Sequence, residues 1–139
     1  GVAHPYVAFK SKWNIEINYD FVQFQLSNDG ISWNSLNGNY TTIGNGQGVQ
    51  IASEPGYDGY QDEWVNEFID LPAYAHEPEV SVRFILRSDG AVEEDGFYFD
   101  DFSISGYQRF LRGDLYQDQI VNIYDLLMLI EYALVYHKW

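Results

Sequence analysis

Asp100 and Asp101 stand side by side inside an otherwise apolar run, FYFDDFSI. An unpaired carboxylate turned toward a protein core costs on the order of several kcal/mol. One of the pair must therefore point to solvent, find hydrogen-bond donors or bind a cation. The whole chain has the same surplus, with 21 Asp and Glu against seven Lys and Arg and a net charge of −14. Oxygen donors in such number suit hard divalent cations, calcium first. The plain alternative is a solvated acidic surface that keeps the protein soluble. Phosphate backbones and anionic membrane surfaces would be repelled, so nucleic acid is not an expected partner. With no cysteine, neither a disulfide framework nor a thiolate metal site can form.

Other groups suggest less. Tyr57, Tyr60 and Trp64 crowd one acidic loop and the strand after it. Exposed rings there could stack on sugar faces, and rings packed over a sandwich edge are the alternative. Asn39-Tyr40-Thr41 fits the glycosylation pattern. Catalysis is not expected. His4, His76 and His137 are far apart, and His76-Glu77 is followed by Pro78 with no second histidine at zinc-protease spacing. No Gly-x-Ser-x-Gly elbow or phosphate loop occurs, and no acid, base and nucleophile converge.

The elements that must position these groups are mostly strands. Val80, Val82, Phe84 and Leu86 alternate with polar or opposite-facing residues, as a half-buried strand requires. In the run after the acidic turn, Tyr98, Phe102 and Ile104 share one parity while Phe97 and Phe99 share the other. Residues 6–18, 21–27, 31–36, 49–52 and 64–71 also read as strands. Asn28-Asp29-Gly30 is a tight-turn signal. Strands spaced this way with no amphipathic helix between them point to an antiparallel sandwich. After residue 106 the pattern changes. Asp114 to Asp125 reads as a polar loop, and Ile123 to Tyr136 is apolar at helical spacing. In that helix Ile123, Leu126, Leu127, Ile130 and Leu134 form one stripe, and Met128 and Val135 extend the apolar surface beyond it.

The series WNIEINYDFVQFQLSNDGISWNSLNGNYT, EPGYDGYQDEWVNEFIDL, VRFILRSDG and DGFYFDDFSI resembles, in the same order, the MAM-like jelly-roll module of secreted bacterial metallopeptidases. These are the immune-inhibitor-A and zinc-carboxypeptidase types, in which the module follows the catalytic domain. The tail GDLYQDQIVNIYDLLMLIEYAL is similar to one half of a dockerin. The two resemblances imply a mainly β chain: an antiparallel jelly-roll β-sandwich over residues 1–106, then a dockerin-like calcium loop and single helix over 107–139. The dockerin likeness implies one calcium held by Asp114, Asp118, Asn122, Asp125 and the Ile120 carbonyl. Two positions depart from the pattern: Tyr116 stands where an oxygen ligand is usual, and Gln119 where glycine makes the sharp turn. A capped helix is the competing reading, with Asn122 as N-cap and Asp125 three residues on, and both can hold. The jelly-roll likeness implies a second ion near Asp100 and Asp101, with Glu16 or Asp20.

The expectation is a non-catalytic, calcium-binding extracellular module, accessory to a secreted metallopeptidase or similar large protein. Two alternatives stand beside it: a structural subunit of an extracellular assembly, and a carbohydrate-binding module using Tyr57, Tyr60 and Trp64. Expected partners are a protein or a second copy, through the C-terminal helix and an open sheet edge, and a glycan. No apolar run reaches the roughly 18 residues of a membrane span. No signal peptide is visible, and the start at Gly1 suggests a mature or excised segment.

Overall fold

The computed structural model describes residues 4–75 and 77–107. The expected calcium loop Asp114–Asp125, the helix after it, His76 and His137 lie outside the described residues. The described chain is mainly β, and its strand pairs are antiparallel. Its elements are β1 (His4–Ile15), β2 (Phe21–Ser27), β3 (Asn34–Ser35), β4 (Thr42–Ile43), β5 (Pro55–Gly56), β6 (Gly59–Asp70), a 3-10 turn (Pro72–Tyr74), β7 (Ser81–Arg87) and β8 (Gly96–Tyr107). One sheet runs β6-β1-β8, the other β3-β2-β7, and β4-β5 is a small ribbon.

The two larger sheets pack in a sandwich-like way. Val7, Phe9, Trp13 and Ile15 alternate along β1, and all four are buried. They meet Val22, Phe24 and Leu26 of β2, and Tyr57, Ile69 and Leu71 complete the core. Phe9 reaches Phe24 at 6.1 Å between ring centroids and Phe84 of β7 edge-on at 5.2 Å. Each fully buried side chain of this size contributes about 1.5–3 kcal/mol relative to exposure.

β2 is buried on both faces. On the face away from the core cluster, Gln23, Gln25 and Ser27 follow Phe21, and these polar side chains are hydrogen-bonded. Gln23 Nε2 donates to Ser35 Oγ (2.9 Å) and Glu54 Oε2 (2.8 Å), and Arg83 Nε donates to Gln25 Oε1 (2.8 Å). Arg83 also lies over the Trp33 ring at 4.0 Å. Within the expected strand 31–36, the ladder with β2 is limited to Asn34 and Ser35, and the Leu36 N–H donates to the Phe24 carbonyl at 3.0 Å. The expected strand 49–52 is not formed. There Gln50 caps a loop, donating from Nε2 to the Asp20 carbonyl (3.1 Å) and to Asp58 Oδ2 (2.8 Å). β6 starts earlier than expected because Gly59, Tyr60 and Gln61 pair with Ile15, Asn14 and Trp13.

The mixed parity of the last strand has a geometric cause. Phe97 faces Trp13 and Phe99 faces Ser11, whereas Ser103 faces Ala8 and Ile104 faces Val7. Between Lys10 and Ala8 the register shifts by one residue on β8, and Asp101 there has φ of 51°. A β-bulge of this kind turns the residues beyond it over by one step. Phe97, Phe99, Phe102 and Ile104 therefore all lie on the core side. Phe84 of β7 stacks on Phe99 at 4.5 Å and touches Phe102 at 6.2 Å, so β7 and β8 face each other across the sandwich. Both are end strands of their sheets among the described residues. Leu86, Phe99, Phe102 and Ile104 stay exposed along that side.

Candidate metal centre

β1 ends at Ile15, and the chain reverses over five residues before β2. The reversal is tight because Tyr19 and Asp20 both donate their backbone N–H to the Glu16 carbonyl, at 3.4 and 3.1 Å. Asn18 takes the left-handed conformation, φ 71°, which asparagine tolerates better than most residues. The turn sets the Glu16 and Asp20 carboxylates beside each other.

The loop between β7 and β8 brings the third. Asp89 donates its backbone N–H to Asp20 Oδ1 at 2.9 Å, tying the two loops together. One carboxylate oxygen each from Glu16, Asp20 and Asp89 lies within 4.8 Å of the other two. Two oxygens on one calcium at 2.3–2.6 Å can be at most about 5 Å apart, so the three fit around a single ion. Asp20 is 5% exposed. Glu16 Oε2 is buried and has no hydrogen-bond partner among the described residues. Burial holds the Glu16 carboxyl above the usual carboxylate range, and the charges of Asp89, Asp20 and Glu94 add to the effect. A desolvated carboxylate oxygen beside two more carboxylates is the donor that a cation would satisfy.

Beside the cluster is a cavity of about 220 Å³ lined by Asn14, Asp20, Leu86, Ser88, Glu93 and Glu94, among others. Asn14 Nδ2 donates to Glu94 Oε2 at 2.7 Å, which steadies that acidic wall. These residues can bind a cation and hold two loops together.

The residues expected to bind ligands are thus divided. Glu16 and Asp20 come together. Asp100 and Asp101 do not join them: Asp100 is paired opposite Lys10, and Asp101 bonds the Lys10 ammonium at 2.6 Å. The bulge leaves both carboxylates exposed, which resolves the burial problem their neighbours posed. Asp114, Asp118, Ile120, Asn122 and Asp125 lie outside the described residues. Asp89 was not anticipated. In Ser88-Asp89-Gly90 it reads as a turn residue, and only the antiparallel return of β7 and β8 brings it to the Glu16 turn. Of the aromatic trio, Tyr57 is fully buried and its phenol donates to Glu67 Oε2 at 2.9 Å, so it is not available for stacking. Tyr60 and Trp64 are exposed.

The chain is similar to parts of longer known proteins. It is 30% identical over 101 residues to Bacillopeptidase F of Bacillus subtilis, covering 72% of this chain but 6% of that protein. It is 29% identical over 96 residues to the pre-pro-metalloprotease PrtV of Vibrio cholerae serotype O1, covering 69% of this chain and 10% of that protein. The chain therefore spans a tenth or less of the length of these curated relatives. No protein-family model and no solved structure matches it. Among the described residues, no helix is long and apolar enough to cross a membrane.

Proposed function

We propose that this chain is a non-catalytic, calcium-binding jelly-roll module, an accessory region of an extracellular peptidase or a similar large protein. The observation that carries the calcium reading is the orphaned Glu16 Oε2 beside Asp20 and Asp89. An oxygen-only donor set of net negative charge suits calcium, and sites in extracellular modules bind in the range of about 10⁻⁴–10⁻³ M. The accessory reading is supported by matches that take up most of this chain and so little of two proteins named as a peptidase and a protease. Two facing three-stranded antiparallel sheets are compatible with a jelly roll. In this reading the ion clamps the β1–β2 turn to the β7–β8 loop, so that the sandwich is stable where calcium is plentiful. The dockerin-like segment, with Asp114, Asp118, Asn122 and Asp125, would hold a further ion.

Isothermal titration of chelator-treated protein with calcium tests the clamp. Heat of binding that is lost or reduced by one site in Asp20→Asn is expected, and an isotherm unchanged by that substitution would overturn it. Incubation of the 139-residue chain with casein tests the non-catalytic part. No cleavage is expected, and cleavage abolished by altering one of the chain's own side chains would refute it.

A further inference from the structure

The outer face of the β6-β1-β8 sheet carries a second built feature. β1 and β6 lose register between Ser11, which faces Val65, and Trp13, which faces Gln61. β6 therefore holds two extra residues at this point, and Asp62, Glu63 and Trp64 are exposed there. On the opposite flank Lys12 pairs with Tyr98 of β8. The Lys12 ammonium lies between two rings, 5.5 Å from the centre of Trp64 and 5.4 Å from that of Tyr98. Rings on either side hold a cation in place without using its N–H groups. Lys12 Nζ makes no hydrogen bond or ion pair with other described residues, so its donors remain free.

Next to this ammonium is a cavity of about 180 Å³, lined by Lys12, Tyr60, Gln61, Asp62, Asp95 and Tyr98, among others. Two carboxylates, Asp62 and Asp95, share this cavity with the Tyr60 and Tyr98 phenols, and their charges hold those phenols above the usual tyrosine range. Tyr60 is 70% exposed. The site thus combines an exposed aromatic face, an ammonium without a hydrogen bond or ion pair to other described residues, and two carboxylate acceptors.

We propose that this face binds a neutral saccharide, with a pyranose C–H face on the Tyr60 ring and adjacent hydroxyls bridging Lys12 to Asp62 or Asp95. The chemistry favours this class over others. An anionic ligand would meet a chain of net charge −14. A cationic ligand would meet the Lys12 ammonium first. A purely apolar ligand would strip water from both carboxylates and return no hydrogen bonds. A polyol supplies donors and acceptors together and keeps one apolar face for the ring. Trp64 and Tyr98 are positioning residues that hold Lys12. The proposal does not rest on the metal centre, whose carboxylates are Glu16, Asp20 and Asp89.

Affinity electrophoresis of the 139-residue chain tests it. Separate gels would contain soluble α-glucan, mixed-linkage β-glucan, xylan, galactomannan or a desialylated glycoprotein, so that polysaccharide and glycoprotein sources are told apart. Retardation by at least one of these is expected. Tyr60→Ala and Lys12→Met should each weaken it by about ten-fold, and Tyr40→Ala, at an exposed ring away from the site, should not. The altered side chains are not in the core, and circular dichroism melts should confirm that the variants stay folded. Failure of every gel to retard the chain would overturn the proposal. So would retardation that is the same in wild type, Tyr60→Ala and Lys12→Met.

Discussion

Replacing Asp20 by Asn gives a perturbation whose sign should depend on calcium. Asp20 is enclosed, and Asn keeps an amide oxygen to accept the Asp89 N–H that Oδ1 accepts at 2.9 Å. The change therefore removes charge with little loss of shape. At a calcium concentration a hundred times the dissociation constant, the bound ion stabilises the wild type by about 2.7 kcal/mol. For a folded unit of this size that is a rise in melting temperature of roughly 10 °C or more. If losing one ligand weakens binding by about a hundred-fold, the same calcium contributes only about 0.4 kcal/mol, so the variant forfeits about 2.3 kcal/mol. In chelator the order should reverse or vanish, because the wild type then holds like charges with oxygens within 4.8 Å of one another. Melting curves of both proteins, in calcium and in chelator, measure all four states. Equal calcium shifts in the two proteins would refute the centre. A response that survives Asp20→Asn and disappears in Asp118→Ala would assign the ion to the dockerin-like segment instead.

Four further outcomes are expected. In chelator, the raised Glu16 carboxyl means that the folded state binds its proton more tightly than the unfolded state does. Stability from this group is therefore gained as pH falls from neutral toward the ordinary glutamate range and lost as pH rises through the raised value; Glu16→Gln should flatten that slope in pH-dependent urea titrations, and an unchanged slope would contradict the assignment. Glu67 accepts from Tyr57 Oη and from the backbone N–H groups of Asn39, Tyr40 and Phe68, so Glu67→Ala should cost about 3–5 kcal/mol and Tyr57→Phe about 1–2 kcal/mol in urea denaturation, and the reverse order would refute this role for Glu67. Gly38→Ala should cost about 1–3 kcal/mol, because the added carbon would stand 2.7 Å from Glu67 Cδ; a neutral effect would show that the Glu67 side chain can yield. At the bulge, Asp101→Val should cost roughly 1–3 kcal/mol and Asp101→Gly less, since φ of 51° suits glycine and not a β-branched residue; equal costs would mean that the Lys10 ion pair, not the backbone, governs the position.

Strand identity was legible wherever one face is buried and the other wet. β1 alternates in the sequence as it does in space. Legibility failed where tertiary contacts override local pattern. Val49 to Ala52 has strand-like residues, but Gln50 is engaged in capping Asp20 and Asp58, and no strand lies alongside. The extra residue at Asp101 was visible only as a contradiction of parity, which the bulge explains. Two of the three residues of the candidate metal cluster could be named from sequence. Glu16 and Asp20 lie four positions apart on one turn, whereas Asp89 reaches them through sheet topology, which spacing does not encode. The buried position of Tyr57 was hidden for a related reason. It sits in a loop composition of Pro, Gly and Asp, yet it pairs with Val22 and crosses from one sheet to the other.

The kink at Asp101 also limits what the outer edge of β8 can template. A straight edge strand of twelve residues would offer an uninterrupted ladder of backbone donors and acceptors, the usual route to runaway aggregation. Here the ladder is broken near its middle, and a charged Lys10–Asp101 pair stands at the break. A straight incoming strand can stay in register only with Gly96–Asp100 or with Phe102–Tyr107, not with both. Among the described residues, pairing along this edge is therefore limited to short stretches, so the exposed Phe99 and Phe102 beside it do not sit on one long uninterrupted ladder.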